Sequence, residues 1–401
     1  MGGILALVFL FPKSSFEAVA SSTVNASAVV TPPVPPDADI VDDFDFDKDA
    51  NYWTGTNGLM EEFGENKSIT NSFVTADAHA GRSLQLTYNL NTSSSWNGYF
   101  LTLNNLVAVT KNISGYQQLS FWVKGAVGGV EHLKIGLENN SSVAAGRYRA
   151  SLYVNDYLDG GITNGWQKVT IPLGAFANLD SLTNVRTLTF VFERAYADVS
   201  GLSRTGAVLV DDIRFSAVSA GPLRVDHFGD KWGANALGGN IGDLTTATGA
   251  TASSSMDLLT SDAFPYSFKS VYNVNFTAPR QDWSGHFFVF GGGDTGWVAE
   301  PINLSGYRTL QFSALAVVGG NPNKIKIEIL SGVGQSAAYE VVGLTTTGWG
   351  SYSVTLASPS SGTIDKTSVK QMNIIYEKWR VDGAAGNRSG TVYFDKIQFV
   401  P

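Results

Sequence analysis

Four aspartates near the ends of two similar stretches of the chain are the residues whose chemistry is easiest to specify: Asp42, Asp211, Asp226 and Asp395. In the closing segments each aspartate shares the period-two parity of apolar neighbours, as Asp211 does with Leu209 and Ile213. The pattern predicts carboxylates that point toward a hydrophobic core. Such burial costs several kcal/mol unless the carboxylate is paired, hydrogen-bonded or bound to a metal.

If the first and last strands of each stretch are neighbours, two of these carboxylates meet at a sheet edge. With carbonyl groups of a Gly-rich loop they would supply the roughly six to eight oxygen ligands that calcium takes. The residues therefore predict structural calcium, bound by Asp42 with Asp211 and by Asp226 with Asp395. The alternative is that each aspartate caps loop amides without a metal.

Aromatic and polar residues form a second candidate group, with sugar binding as its chemistry. Trp122 is out of phase with the apolar residues of its segment, and Tyr99 lies close to Trp96. An exposed ring suits stacking on the apolar C–H face of a pyranose, while polar side chains bind the sugar hydroxyls. Polar partners would be available if their strands share the sheet of Trp122: Lys134, Arg149 and Glu193.

Other tryptophans are expected to be structural. Trp166 and Trp349 occupy matching Gly-Trp positions, which predicts core anchors, and the pair Trp96 and Trp283 has the same alternative interpretation.

Catalytic chemistry has little support in the sequence. The histidines have no metal-site or triad spacing: His79, His132, His227 and His286. Glu193 and Glu377 hold matching positions, but a glycosidase needs two carboxyl groups facing each other across one site. Only one carboxyl group can be assigned to such a place in each stretch. We therefore expect a protein that is not an enzyme.

The elements that must position these residues are short strands. Leu119, Phe121 and Val123 alternate with polar residues, and the same period of two recurs along both stretches between Gly- and Asn-rich breaks. No window has a long 3.6-residue period. The fold class predicted is all-β, with two tandem β-sandwich (jelly-roll) domains.

The duplication sets the domain limits. Motifs of the first stretch, such as Asn112-Ile-Ser-Gly-Tyr116, return in the same order in the second, as Asn303-Leu-Ser-Gly-Tyr307 does. We predict one domain over 41–216 and another over 225–401. Residues 1–20, a short apolar run followed by a small-x-small pattern, are predicted to be a signal peptide, and residues 21–40 a Pro/Ser/Thr-rich linker.

Composition excludes several function classes. The net charge of −8 and the lack of a Lys/Arg stripe argue against nucleic acid as a partner. With no cysteine, disulfides and thiolate chemistry are excluded. The N-terminal apolar run is too short for a transmembrane span. Because its pattern is that of a signal peptide, we expect a secreted or cell-surface protein.

The motifs resemble a known family. The Gly81-to-Leu86 strand, Trp96-Asn-Gly98, Gly165-Trp166 before Ile171-Pro172, and the closing Val210-Asp-Asp-Ile213 are similar to carbohydrate-binding-module jelly rolls of the galactose-binding-like type. The resemblance implies an eight- or nine-stranded β-sandwich, often with one structural calcium, that binds glycans and does no chemistry. The second copy departs from the pattern, because Ser313 stands where Trp122 stands.

Together these inferences predict a non-catalytic extracellular protein that binds a polysaccharide or cell-surface glycan, at least through its first copy. Two weak sites on one chain would gain affinity for a polymer by avidity. Two alternatives stay open. One is a structural surface or filament subunit, with self-association, and the other is an accessory part of a glycan-degrading enzyme system.

Overall fold

The computed structural model describes residues 40–45, 50–61, 68–91, 96–104, 110–139, 148–177, 179–217, 221–229, 233–246, 249–261, 266–275, 283–291, 301–332, 334–381 and 387–401. The predicted signal peptide and all of the linker before Ile40 lie outside these residues. Within them, no helix is long and apolar enough to cross a bilayer.

The first sandwich is built from strands that pair in antiparallel fashion. They are β1 (Ile40–Asp42), β2 (Asn57–Glu61), β3 (Ser68–Val74), β4 (Ser83–Asn89), β5 (Trp96–Thr102), β6 (Gln118–Gly125), β7 (Lys134–Asn139), β8 (Arg149–Tyr153), β9 (Gln167–Pro172), β10 (Val185–Glu193) and β11 (Thr205–Ser216). One sheet, in the order β3-β4-β11-β6-β9 with β1 on β11, contains the first and last strands, and we name it the terminal sheet. The other, β2-β5-β10-β7-β8, is the opposite sheet.

The second sandwich repeats this arrangement. Its strands are β12 (Leu223–Asp226), β13 (Ile241–Leu244), β14 (Thr251–Asp257), β15 (Ser267–Asn273), β16 (Trp283–Val289), β17 (Thr309–Ala316), β18 (Lys324–Ser331), β19 (Ser336–Val342), β20 (Gly350–Thr355), β21 (Ser361–Gly362), β22 (Val369–Glu377) and β23 (Ser389–Val400). Its terminal sheet is β14-β15-β23-β17-β20 with β12 on β23, and its opposite sheet is β13-β16-β22-β18-β19-β21. The predicted all-β class with two tandem sandwiches is thereby confirmed.

Alternation of apolar residues explains why these segments are strands. Leu119, Phe121 and Val123 of β6 are fully buried, as are Leu188 and Phe190 of β10. Alternate side chains of each strand thus pack between the two sheets, and the side chains between them face outward. The alternation predicted from the sequence is confirmed at these strands. Among the described residues the first sandwich has eleven strands, more than the eight or nine that the resemblance implies.

In the part of the chain that the structure describes, helical structure is confined to short connections. A helix α1 (Arg194–Ser200) follows β10 and ends at Gly201, which has a positive φ of 71°. A shorter helix α2 (Lys378–Val381) follows β22 at the corresponding place in the second sandwich. Two 3-10 turns, Val154–Tyr157 and Leu173–Ala175, follow β8 and β9.

The two sandwiches belong to one compact unit of the chain. The Tyr157 hydroxyl donates to the Ala236 carbonyl at 2.9 Å, and Arg224 donates to the Asp156 carbonyl at 2.8 Å. These contacts join the 3-10 turn after β8 to the beginning of the second sandwich. The exact domain limits, 41–216 and 225–401, stay predictions.

One feature of the closing strands corrects the sequence analysis. Asp212 and Lys396 have positive φ values of 56° and 52°, and the pairing register shifts beside each of them. These bulges reverse the side-chain parity, so that Val210 and Ile213 both point inward. Asp211 therefore lies on the outer face of the terminal sheet, opposite Trp122, and does not point into the core.

Candidate functional site

The predicted sugar-binding residues do not all share one sheet. Trp122 lies on β6 of the terminal sheet, whereas Lys134, Arg149 and Glu193 lie on β7, β8 and β10 of the opposite sheet, where Trp96 begins β5. The condition under which Lys134, Arg149 and Glu193 would serve as partners of Trp122 is therefore not met. They are grouped with Trp96 instead.

The outer face of the opposite sheet has a polar cluster at one end of its strands, where β5 and β7 begin and β8 and β10 end. Glu193 lies directly opposite Trp96 in the β10–β5 register. One oxygen of Glu193 accepts a hydrogen bond from Lys134 Nζ at 2.9 Å, and the other accepts one from the Tyr153 hydroxyl at 2.6 Å. The Lys134 ammonium also lies 5.4 Å from the Tyr153 ring centroid. Charged and aromatic groups are thus held in fixed positions beside Trp96, which is half-buried.

Two buried aromatic groups hold this cluster from behind. His132 Nε2 accepts the backbone N–H of Glu193 at 3.1 Å, and burial lowers the pKa of His132 to about 4, so the ring is neutral at pH 7. Tyr196 of α1 is fully buried and stacks on Tyr153, with ring centroids 3.6 Å apart. The position of the Tyr153 hydroxyl is therefore set by packing on α1.

Small residues leave the middle of this face open. Gly98 and Gly136 lie on either side of β10, opposite Val191 and Thr189. A Cβ at Gly98 would come within 2.3 Å of the Phe190 carbonyl oxygen, so glycine is required there by the backbone. A Cβ at Gly136 would meet only side-chain atoms closely, with Thr189 Oγ1 at 2.5 Å. Gly136 is therefore the position where a larger residue would most directly fill the face.

The margins of the face carry the remaining groups. Phe100 is half-buried on β5 and lies across Gly58 of β2. At the other margin Arg149 of β8 lies opposite Glu138 of β7. A flat surface with rings at its edges and charged groups between them can bind an extended, neutral, hydroxyl-rich ligand.

Trp122 has a different environment. The His79 ring stacks on it with centroids 3.9 Å apart, and Trp166 meets His79 edge-on at 5.6 Å. One face of the indole ring is therefore covered by the chain itself. Trp166 is half-buried in this surface cluster, so the expectation that it anchors the core is wrong, and Trp349 is likewise outside the buried core.

Tyr99 is also placed differently from the sequence analysis. Its side chain is fully buried, because it shares the inward parity of Leu101 on β5. Its ring packs in the core of the first sandwich and is not presented to solvent.

Asp42 ends β1 of the first sandwich, and Asp211 lies in the middle of the neighbouring strand β11, near enough for the two charges to interact. Asp211 Oδ2 accepts from the Ser83 hydroxyl at 2.8 Å and from the Ala80 N–H at 3.2 Å, while Oδ1 is buried without a hydrogen bond from the described residues. Burial raises the pKa of Asp211 to about 6. Burial also raises the pKa of Asp42 to about 7, with the nearby charges of Asp43 and Asp211 adding to it.

In the second sandwich Asp395 is bonded more fully than Asp211, whereas Asp226 accepts the same bond that Asp42 accepts from Phe44 N–H. Asp395 Oδ2 accepts from both the N–H and the hydroxyl of Ser261 at 2.8 Å, and Oδ1 accepts from Lys396 N–H at 2.8 Å. Asp226 accepts from Phe228 N–H at 2.7 Å. These bonds match the loop-capping alternative. Within the described part of the chain, no three Asp, Glu or His side chains form a group that could hold a metal.

The opposite sheet of the second sandwich shares the first one's frame but not its surface. Trp283 lies opposite Glu377, and Lys326 Nζ lies 2.6 Å from Glu377 Oε1, as their counterparts do in the first sandwich. However, Glu328 occupies the register position of Gly136 and accepts a hydrogen bond from Asn373 at 3.1 Å. The middle of this face is therefore filled.

A Ser-His-Asp arrangement in the second sandwich was missed by spacing alone. His286 Nδ1 lies 2.9 Å from Asp243 Oδ1, and His286 Nε2 lies 2.6 Å from Ser270 Oγ. Ser270 and His286 are fully buried between the sheets, and Ser270 Oγ also bonds the Tyr376 hydroxyl at 2.7 Å. Because a substrate cannot reach Ser270, this chain of bonds is a core network and not a nucleophilic centre.

Four residues that form or support the outer face of the opposite sheet were not predicted from the sequence: Tyr153, Phe100, Gly136 and His132. A period of two along this segment places Lys134, Gly136 and Glu138 on the same side of the strand, which indicates Gly136 once the sheet order is known.

Comparison with known proteins supports the residue-based resemblance. Residues 41–217 match the family model of carbohydrate binding domain 30. None of the curated proteins matches the chain.

Three solved structures are similar to all or part of the chain. A family 11 carbohydrate-binding module of a Clostridium thermocellum cellulosomal cellulase is 17% identical, covering 45% of this chain and 94% of its own, with a TM-score of 0.32. A family 30 module of another cellulosomal cellulase of that organism is 23% identical, covering 41% and 91%, with a TM-score of 0.31. A tandem pair of family 22 modules from Paenibacillus barcinonensis is 15% identical, covering 86% and 93%, with a TM-score of 0.25.

The family match covers the first sandwich, including both sheets and the face that carries Trp96, Lys134 and Glu193. The resemblance to carbohydrate-binding β-sandwich modules, inferred from the residues, is thereby confirmed.

Proposed function

We propose that the protein binds polysaccharide, without catalysis, through the outer face of the opposite sheet of the first sandwich. The observation that carries this proposal is the fixed cluster of Trp96, Glu193, Lys134 and Tyr153 on a sandwich that matches a carbohydrate-binding family. Trp96 and Phe100 would contact the apolar faces of sugar rings, and Arg149 with the Lys134–Glu193 pair would bind their hydroxyls.

The bonding of Glu193 favours binding over hydrolysis. Both of its oxygens are occupied by Lys134 and Tyr153, which suits a positioned hydrogen-bonding group more than a group that takes up and releases protons. We propose that the chain is exported and meets its polymer outside the cell, as its predicted signal peptide implies.

Affinity electrophoresis and pull-down against a panel of polymers test the proposal. The panel contains β-1,3-1,4-glucan, cellulose, xylan and agarose, because linkage and ring stereochemistry differ among them. We expect the wild-type chain to be retained by at least one polymer and Trp96→Ala to bind that polymer about 30-fold more weakly, the loss of about 2 kcal/mol typical of an important aromatic contact.

The matched control is Trp283→Ala, which removes the corresponding ring of the second sandwich, where the face is filled. We expect it to retain most of the binding. Failure of the wild-type chain to bind any polymer, together with self-assembly on concentration, would favour the structural-subunit alternative. Sugar release from any polymer in the panel would show that the chain is catalytic.

We also propose a structural calcium ion at Asp42 and Asp211 of the first sandwich. The support is the buried Asp211 Oδ1, which has no hydrogen bond from the described residues, and the hard oxygen donors that two adjacent carboxylates provide. Bound calcium would neutralise the two carboxylates and link β1 to β11. For the pair Asp226 and Asp395 we propose the loop-capping role instead of calcium, because Asp395 already accepts hydrogen bonds at both oxygens.

Removal of metal tests this second proposal. The melting temperature of the chain is expected to fall when a chelator is added and to return with calcium but not with magnesium, which requires a tighter octahedral site. An unchanged melting temperature in the chelator would mean that the aspartates act only as caps.

A further inference from the structure

The short helix after the penultimate strand differs between the two sandwiches in a way that exposes one aromatic ring. The first sandwich has Ala195 and Tyr196 at the start of α1, and the second has Trp379 and Arg380 at the same places in α2. Tyr196 is buried against Tyr153. The side chain at the position of Tyr196 in the second sandwich is instead a cation.

That cation is held by carboxylates of the opposite sheet. Arg380 donates hydrogen bonds to Glu377 of β22 and to Glu340 of β19, which stands at the register position of Tyr153. The Arg380 side chain is only 10% exposed, and Glu377 is also paired with Lys326. An ion network thus replaces the aromatic stack and fixes the guanidinium group in place.

Trp379 packs its ring against this ion network. Its side chain is 53% exposed, more than any other aromatic side chain in the described ranges. The Arg380 guanidinium lies 4.1 Å from the ring centroid, so one side of the indole ring is supported by a group that is itself immobilised. A ligand that stacks on the open side would lose little side-chain freedom of the protein on binding.

The chemistry around Trp379 selects the ligand. A ring that already has a cation on one side is a poor site for a second cation, which disfavours quaternary ammonium ligands. The face beside it is filled by Glu328 and Asn373, and Ile375 is only 4% exposed, so a long chain cannot lie in its middle. A single neutral pyranose ring on Trp379, with its hydroxyls toward Glu340 and Arg380, fits both restrictions.

We propose that Trp379 is a second, independent sugar-stacking site that binds one neutral pyranose unit of a polysaccharide at the edge of the second sandwich. This proposal rests on the proposed function, because it assumes that the ligand of the first sandwich is a glycan. The site would let the chain contact one polymer at two places and gain from effective concentration.

Full-length variants test the site on whichever polymer of the panel retains the wild-type chain. We expect Trp379→Ala to weaken retention about tenfold through loss of avidity. The double variant, with Trp96→Ala and Trp379→Ala, is expected to lose the residual binding that the Trp96→Ala variant retains. The control is Val342→Ala, which shortens an exposed apolar side chain of neighbouring β19 without removing a ring. Melting temperatures of all variants show whether they fold.

A second readout separates this site from the first. In the Trp96→Ala background, an oligosaccharide of the retained polymer is titrated while indole fluorescence is followed, and the change is expected to disappear in the double variant. If the polymer retains Trp379→Ala as well as it retains Val342→Ala, and the wild-type chain binds, this proposal is overturned and the proposed function stands. Absence of any wild-type binding would overturn both.

Discussion

The opposite sheets of the two sandwiches share one frame but carry different surfaces. Both faces begin a central strand pair with Trp opposite Glu, and both pair that Glu with a Lys, at 2.9 Å in Lys134–Glu193 and 2.6 Å in Lys326–Glu377. The equivalent glycines of β5 and β16 are required by the backbone, because a Cβ at Gly98 or Gly285 would clash with a carbonyl oxygen. What the two copies share is therefore largely structural.

Three of the differences between the two faces adjoin this frame. Gly136 is replaced by Glu328, Tyr153 by Glu340, and Tyr196 by Arg380. The last two replacements form a matched exchange, since a stack of two rings in one sandwich becomes an ion pair in the other. The duplication has thus kept a scaffold and diverged in the groups that a ligand would meet.

The matched exchange gives the largest expected effect, and it concerns stability. Tyr196→Ala removes a fully buried ring from the first sandwich, and we expect a loss of about 3 kcal/mol or more. Arg380→Ala leaves each of its two carboxylates with a lysine partner, Glu377 with Lys326 and Glu340 with Lys324, so the expected loss is smaller, about 1.5 kcal/mol. Calorimetry of the full chain measures both.

Equal destabilisation by Tyr196→Ala and Arg380→Ala would contradict the inference that the two sandwiches differ in how this position contributes to stability. It would mean that the ion network of Arg380 is as important for packing as the ring stack, and Trp379 would then not stand on a separable surface feature.

The exchange of Gly136 for Glu328 at the middle of the face gives the next largest expected effect, and it concerns polymer binding. Gly136→Glu places in the first sandwich the side chain that fills the second, and we expect binding to the retained polymer to fall about tenfold, equivalent to about 1.4 kcal/mol. Gly136→Ala is the control, since its Cβ meets mainly the flexible Thr189 side chain. Binding by Gly136→Glu at wild-type strength would show that the ligand does not cross β7 and β10.

Much of the fold could be predicted from the sequence because burial imposes a regular pattern. The alternation of Leu119, Phe121 and Val123, and the ordered repeat of motifs, were sufficient for two all-β sandwiches. The candidate site was predicted less well. Period-two parity shows that Trp122 and Lys134 both face outward, but it does not show which of two sheets each strand joins, because that depends on pairing between distant segments.

The remaining errors have local causes. The bulges at Asp212 and Lys396 insert one residue into each closing strand, so parity counted from Ile213 assigned Asp211 to the wrong side. Tyr99 was assigned to the surface because it adjoins Trp96, although its parity is that of Leu101. The Ser270–His286–Asp243 network joins three different strands, and no spacing along the chain indicates it.

The smallest expected effect concerns the aspartates, and it contrasts Asp211 with Asp395. In a chelator, the raised pKa of Asp211 means that its contribution to stability is complete below about pH 4 and is lost as pH rises through about 6, because ionisation is disfavoured in the fold. Asp211→Asn removes the ionisable group, so we expect it to be more stable than wild type by about 1 kcal/mol at pH 8 and to lose the response to calcium.

Asp395→Asn is the matched variant, and we expect it to lower the stability of the chain where Asp211→Asn raises it. The Asp395 carboxylate accepts three hydrogen bonds, from Ser261 N–H, Ser261 hydroxyl and Lys396 N–H, and an amide cannot accept all of them at both positions. We therefore expect Asp395→Asn to lower the melting temperature in chelator and in calcium alike. A stabilising Asp395→Asn, or an Asp211→Asn that melts earlier than wild type at pH 8 in chelator, would contradict the assignment of a metal ligand to the first sandwich and a cap to the second. Melting curves between pH 4 and pH 8 distinguish these outcomes, since only the Asp211 variant is expected to flatten the pH dependence.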